Sequence, residues 1–165
     1  MISAKYLAMA AIGFSLCASI PALAEDAAKP SIEVTAPWTR ATVRGASVAV
    51  GYLTIENKGA VADRLVGATA DAAGKVELHE TQMKDGVMSM RALTSGLEIK
   101  PGAKVAFKPG SYHLMLLGLK APLLPGGSVH AVLTFDKAGE IAVDMPVEAV
   151  GATSPAPASM ENMHH

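Results

Sequence analysis

The sequence predicts an all-β domain, an antiparallel sandwich or barrel of Greek-key type. Short runs of aliphatic and β-branched residues recur along the chain, and turn residues (Gly, Pro, Asn, Asp) separate them. After residue 31 no useful length carries apolar residues at helical spacing.

Ile32-Glu33-Val34 is short and alternating, and it opens the series. Ala46 to Ile55 is small and β-branched and ends at Asn57-Lys58-Gly59. Asp63 to Ala68 and the clearly alternating Lys75 to Glu80 follow. Lys84-Asp85-Gly86 reads as a hairpin turn leading into Val87 to Ala92. Leu97-Glu98-Ile99 runs to Pro101-Gly102, and Lys104 to Phe107 runs to Pro109-Gly110. Tyr112 to Leu119 is a longer apolar run; Ser128 to Phe135 and Ile141 to Val147 close the set. These runs place one domain over residues 32–149, with a flexible lead at 25–31.

The two ends read differently. Lys5, an apolar stretch from Tyr6 to about Ile20, Pro21 and then Ala22-Leu23-Ala24 form a secretory signal over residues 1–24, cut after Ala24. The stretch is short for a membrane anchor. Cys17 follows Leu16 rather than the small residue that lipidation of a cysteine would require, so it is expected to leave with the signal. The exported chain then has no thiol, no disulfide and no thiolate for a metal. Residues 150–165 begin Ala/Ser/Pro-rich, which predicts disorder, and finish Met160-Glu161-Asn162-Met163-His164-His165.

With the signal set aside, 13 basic residues face 15 acidic ones, a balance that argues against a nucleic-acid partner. No later segment is apolar for long enough to enter a bilayer, and a monomer is expected. No catalytic triad, carboxylate pair or phosphate loop is legible, so no enzymatic turnover is expected. Methionine is frequent instead. Met145 suits a core; Met83, Met88, Met90, Met115, Met160 and Met163 cluster near histidines or in the tail.

Alternation places these residues on faces. Val76 and Leu78 share one side of their strand, Glu77 and His79 the other. Met88 and Met90 share a face, and so do His113 and Met115, two residues apart. Imidazole plus thioether is a soft, uncharged donor set. It favours Cu(I) over oxygen-seeking Mg²⁺, Ca²⁺ or Mn²⁺, and over zinc. Two histidines and two methionines leave the site with the charge of the ion itself, and a low-dielectric surround penalises Cu(II) more than Cu(I). Without cysteine, a blue-copper electron-transfer centre cannot be built. Met88 reads as packing beside the site or as an accessory ligand, Met83 as turn-region surface, and His130 as solvated. Trp38 reads as a buried anchor or a site-lining residue. Glu77 and Glu80 are either partners of imidazole N–H groups or solvated strand charges.

The spacing His79, ten residues, Met90, twenty-two residues, His113, one residue, Met115 resembles a known pattern. The periplasmic copper chaperone family PCu(A)C carries His-x10-Met-x21-His-x-Met. Trp38-Thr39-Arg40-Ala41, Gly51-Tyr52-Leu53-Thr54-Ile55, Ala62-Asp63-Arg64-Leu65, Val76-Glu77-Leu78-His79-Glu80, Gly86-Val87-Met88-Ser89-Met90-Arg91 and Lys108 to Leu116 are also similar to that family, and the likeness spans residues 32–149. The extra residue in the second gap falls most naturally in Ala92 to Gly96, a turn-like stretch, and leaves Met88 and Met90 both open as the second ligand; the gap from His79 favours Met90.

The resemblance implies a cupredoxin-like fold, a Cu(I) site of His79, Met90, His113 and Met115, and delivery of copper for cytochrome c oxidase assembly. The acceptor would be a copper-accepting oxidase subunit or another periplasmic copper chaperone. Met160, Met163, His164 and His165 form a possible accessory site, for Cu(II) through the histidines. Periplasmic copper sequestration or resistance, electron transfer, and a non-metal interaction module are the alternative functions.

Overall fold

The computed structural model describes residues 31–156. The signal of residues 1–24 with its cut after Ala24, nearly all of the lead, and Met160, Met163, His164 and His165 lie outside the described residues.

All ten runs read from the sequence are strands: β1 (Ile32–Arg40), β2 (Val48–Asn57), β3 (Asp63–Ala70), β4 (Ala73–Lys84), β5 (Val87–Ala92), β6 (Leu97–Ile99), β7 (Lys104–Phe107), β8 (Tyr112–Leu119), β9 (Ser128–Phe135) and β10 (Gly139–Glu148). The described residues contain no helix. β5-β4-β8-β7-β2-β1 and β10-β9-β3-β6 form two halves joined through a short β1–β10 pairing, Thr39 opposite Val147 and Arg40 opposite Glu148. Neighbours distant in sequence, such as β4–β8 and β1–β10, are the crossovers of a Greek-key arrangement.

Both halves contribute to one core. Leu53, Ile55, Leu114 and Leu116 from the first pack in the same cluster as Leu65, Val129, Leu133 and Met145 from the second. The halves approach closely at Gly51, where a Cβ would lie 3.1 Å from the sulfur of Met145. A larger residue there would force the facing methionine aside.

Three features differ from the sequence reading. The β1–β10 and β7–β8 pairings are parallel, because alternation fixes faces but not strand direction. β1 runs six residues beyond Val34, through an irregularity between Thr35 and Trp38, where Ala36 has φ +47° and Pro37 lacks an N–H. Residues 150–156, expected as the start of a disordered tail, lie along the domain. The Arg40 Nε donates to the Ala152 carbonyl at 2.6 Å, and the Ala156 N–H donates to the Glu148 carboxylate at 3.1 Å. A run read as solvent-seeking from its composition is held here by two polar contacts that composition does not reveal.

Candidate metal centre

The inward face of β4 and β8 carries Leu78, Leu114 and Leu116, all buried in the core. Burying that row fixes the register, and the alternate residues must then point outward. His79 on β4 lies directly opposite His113 on β8, and Glu77 lies opposite Met115. On the other side of β4, Met90 of β5 lies opposite Thr81, two residues from His79 and on its face. Opposite Met115 on its remaining side is Val50 of β2. His79, His113, Met115 and Met90, four residues from three strands, therefore share one outer face.

The two imidazole centroids are 5.8 Å apart. His113, Met115, Met90 and Met88 line one open cleft with Tyr52 and Arg40. His113 is 5% exposed and Met90 54%, so one flank of the cleft is closed and the other faces solvent. Pro109 and Gly110 also line the cleft.

Each histidine has one ring nitrogen already engaged. The His79 Nε2 lies 2.9 Å from a Glu77 carboxylate oxygen. Since a carboxylate only accepts, Nε2 carries the proton and Nδ1 is left with a lone pair. That Nδ1 is buried and has no hydrogen-bond partner. An orphaned buried acceptor is rare enough to need a reason, and a missing ligand is one. In His113 the roles reverse: Nδ1 donates to the Ser111 carbonyl at 3.1 Å, which leaves Nε2 as the free acceptor. The same Ser111 carbonyl accepts from the Thr81 N–H at 3.1 Å, tying the loop before β8 to β4.

The electrostatics keep the His113 donor available. Burial pushes the His113 pKa below the ordinary imidazole value; its Ser111 bond opposes this and the neighbouring His79 adds to it. The Glu77 carboxyl is held below the usual carboxylate range by the Lys75 ammonium, 2.6 Å away, and by His79. Glu77 thus stands as an imidazole partner. Glu80 does not, because it lies opposite Tyr112 and Arg91 on the inward side and pairs with Arg91 at 2.7 Å.

Trp38 is buried but lies outside the main core cluster. Its ring sits 4.6 Å from that of Tyr52, with the Arg40 guanidinium over both at 5.8 and 5.4 Å. Arg40 and Tyr52, which reach into the cleft, went unrecognised in the sequence. Their only signal was membership of the family-like segments Trp38 to Ala41 and Gly51 to Ile55. His130 is exposed, as read, and meets Asp144 at 2.8 Å. Met88 and Met83 are both exposed on the β4–β5 hairpin.

Comparison with known proteins places this chain in a family. The family model described as "Putative lipoprotein LpqE-like" matches residues 32–147. The chain belongs to the LpqE-like family. A relative from Leifsonia xyli subsp. xyli, named "Putative lipoprotein Lxx21020", is 34% identical over 151 residues and 90% of each chain. "Uncharacterized protein RP573" of Rickettsia prowazekii is 30% identical over 66% of this chain and 62% of its own.

Among solved structures, the copper-bound PCuAC domain from PmoF2 is similar at TM-score 0.60 and 27% identity, over 73% of this chain and 95% of that one. The solution structure of Cu(I)-DR1885 from Deinococcus radiodurans is similar at TM-score 0.56 and 26% identity, over 73% and 78%. The LpqE-like chain therefore has the cupredoxin-like β fold of PCuAC domains, and the resemblance read from its histidine and methionine spacing holds at the level of family and fold.

Proposed function

We propose that this protein is an exported Cu(I) chaperone that holds the ion with the His79 Nδ1, the His113 Nε2, and the thioethers of Met115 and Met90. The carrying observation is the pair of facing imidazoles whose remaining nitrogens are tied back to Glu77 and Ser111. Outer partners of this kind fix the tautomer of a metal-binding histidine. The solved PCuAC neighbours, titled copper-bound and Cu(I)-loaded, support the same ion. Arg40 at the cleft adds a fixed positive charge, which opposes Cu(II) more than Cu(I).

The copper is cargo. Thioether ligands are neutral, so an acceptor's thiolate or imidazole can replace them stepwise without any proton transfer to the donor methionines. The exposed Met90 is the ligand an incoming group reaches first. The acceptor we infer is a copper-accepting oxidase subunit or a second periplasmic copper chaperone. Sequestration is the competing role, and mixing the copper-loaded protein with an apo oxidase copper domain separates the two: transfer supports delivery, retention supports buffering.

Export follows from the Ala24 cut, and the relatives' lipoprotein names are consistent with a protein that leaves the cytoplasm. An N-terminus at Glu25 by mass spectrometry supports release, and a lipid on Cys17 refutes it. Among the described residues no helix is long and apolar enough to cross a membrane. For the metal, anaerobic Cu(I) titration against a competing chelator is the test. One tight site is expected in the wild type and none at the domain in the His113→Ala/Met115→Ala variant. Equal binding by both proteins overturns the ligand set. The tail residues Met160, Met163, His164 and His165 remain a proposed accessory site whose binding would survive that substitution.

A further inference from the structure

Of the five methionines among the described residues, Met145 fills the core and Met115 lines the cleft. The other three, Met83, Met88 and Met90, are 66%, 63% and 54% exposed. They do not fill gaps in packing. β5 is a sheet edge, and all six of its residues are exposed. Proteins usually blunt such an edge with charge or proline, since an apolar edge strand invites aggregation. Here the edge is furnished with thioethers.

The hairpin fixes where those thioethers stand. Asp85 and Gly86 have φ +52° and +77°, the pair of left-handed conformations that a two-residue type I′ turn requires. This turn sets the register that pairs Lys84 with Val87 and Met83 with Met88. Directly opposite residues hold their Cβ atoms roughly 5 Å apart, well within the span of two flexible methionine side chains. Met90 follows Met88 by two residues, about 6.7 Å along the same face. It is in turn opposite Thr81, two residues from His79. The outer face thus carries a continuous row of soft donors, from the hairpin tip through Met90 to the paired imidazoles.

We propose that Met83, Met88 and Met90 form a second, weaker Cu(I) site at the hairpin, through which the ion enters and leaves the central site. The transfer role rests on the proposed function above, whereas the binding itself does not. Three neutral thioethers suit a monovalent soft ion and offer nothing to Mg²⁺ or Ca²⁺. Met90 belongs to both sites. An ion can therefore exchange Met83 and Met88 for His79, His113 and Met115 without becoming free, and no electron or proton moves.

The test uses Ag(I), a soft monovalent ion that stays in one oxidation state, added in chloride-free buffer to the full chain labelled with ¹³C at the methionine methyls. The first equivalent should shift Met90 and Met115, and the second, with Met90 already held at the central site, should be bound by Met83 and Met88 alone and shift those two. The tail methionines, with their own signals, report separately. A Met83→Leu/Met88→Leu variant keeps side-chain volume at exposed positions. It should retain the first event and lose the second, so that equivalents bound by the domain fall from two to one. In a His79→Ala/His113→Ala variant, the Met83 and Met88 signals should still move, now with the first equivalent. Unshifted Met83 and Met88 methyls at several equivalents would overturn the hairpin site. Movement of those two with Met115 unmoved would uphold the hairpin site and refute the central one.

Discussion

Replacing Glu77 with alanine leaves every proposed copper ligand in place and tests whether the site is preorganised. In the wild type the Nε2–H of His79 donates to the Glu77 carboxylate at 2.9 Å, and this leaves the buried Nδ1 with a lone pair and no hydrogen-bond partner. Without the carboxylate the ring can turn, and either tautomer becomes available. Loss of such an outer partner costs roughly 10–100-fold in metal affinity. Two features of the structure place Glu77 at the lower end of that range. Its carboxylate is shared with Lys75 at 2.6 Å, and its side chain is 29% exposed, so solvent already weakens it. The expected loss is about tenfold in Cu(I) affinity for Glu77→Ala, and about threefold for Glu77→Gln, whose amide oxygen still accepts from Nε2. Chelator competition under anaerobic conditions gives the affinities. Long-range ¹H–¹⁵N correlation of the imidazole gives the tautomer. Affinity within twofold of wild type in Glu77→Ala, or a wild-type apo protein with its His79 proton on Nδ1, would refute the reasoning.

Three further outcomes follow from the same geometry. Met90→Leu should weaken Cu(I) binding less than His113→Ala does, yet speed release to a chelator. Met90 is exposed where His113 is buried, and stopped-flow release rates check this. The folded state takes up a proton on His113 at lower pH than the unfolded chain does, so its stabilising contribution is complete above an ordinary imidazole pKa of about 6.5 and is lost as pH falls below it toward the folded value. The urea midpoint of the apo protein should therefore drop more between pH 7.5 and 5.5 in the wild type than in His113→Asn. Arg40→Gln removes both the bond to Ala152 and the cation over Trp38 and Tyr52, at a cost of about 1 kcal/mol. It should red-shift the emission of Trp38, and hydrogen exchange at residues 152–156 should rise with it.

Apart from the edge strand β5, which is exposed throughout, the strands were legible because each obeys one local rule. Residues on one side must be apolar enough to bury, and Gly, Pro, Asn or Asp must mark the ends. His79, His113 and Met115 could be assigned to outward faces on that rule alone, since Leu78, Leu114 and Leu116 claim the inward side. What alternation cannot carry is pairing. Nothing in the sequence of β4 or β8 says that His79 stands opposite His113, because the register depends on how the core closes. The parallel join of β1 to β10 was illegible for the same reason. Tyr52 and Arg40 looked like ordinary strand residues, and they matter only because β2 lies beside β8 while β1 lies beside β2. Residues 150–156 misled in the other direction, since an Ala/Ser/Pro composition reports solvent preference and is blind to one arginine reaching for a carbonyl.

The two sides of the sheet divide the work. Core packing on the inward side cannot shift by one residue without turning every leucine to solvent, so it holds β4 and β8 rigidly in register. The histidines inherit that rigidity through their Cα atoms, and Glu77 and Ser111 remove what freedom their rings have left. On β5 no buried side enforces anything, and the methionine there is free to rearrange. A carrier needs this asymmetry. Ligands that were all as fixed as His113 would bind tightly and let go slowly, whereas ligands that were all as free as Met90 would pay an ordering cost at each capture. In the proposed site, fixed donors on the central strands and a movable one on the edge would give affinity to one flank of the cleft and exchange to the other.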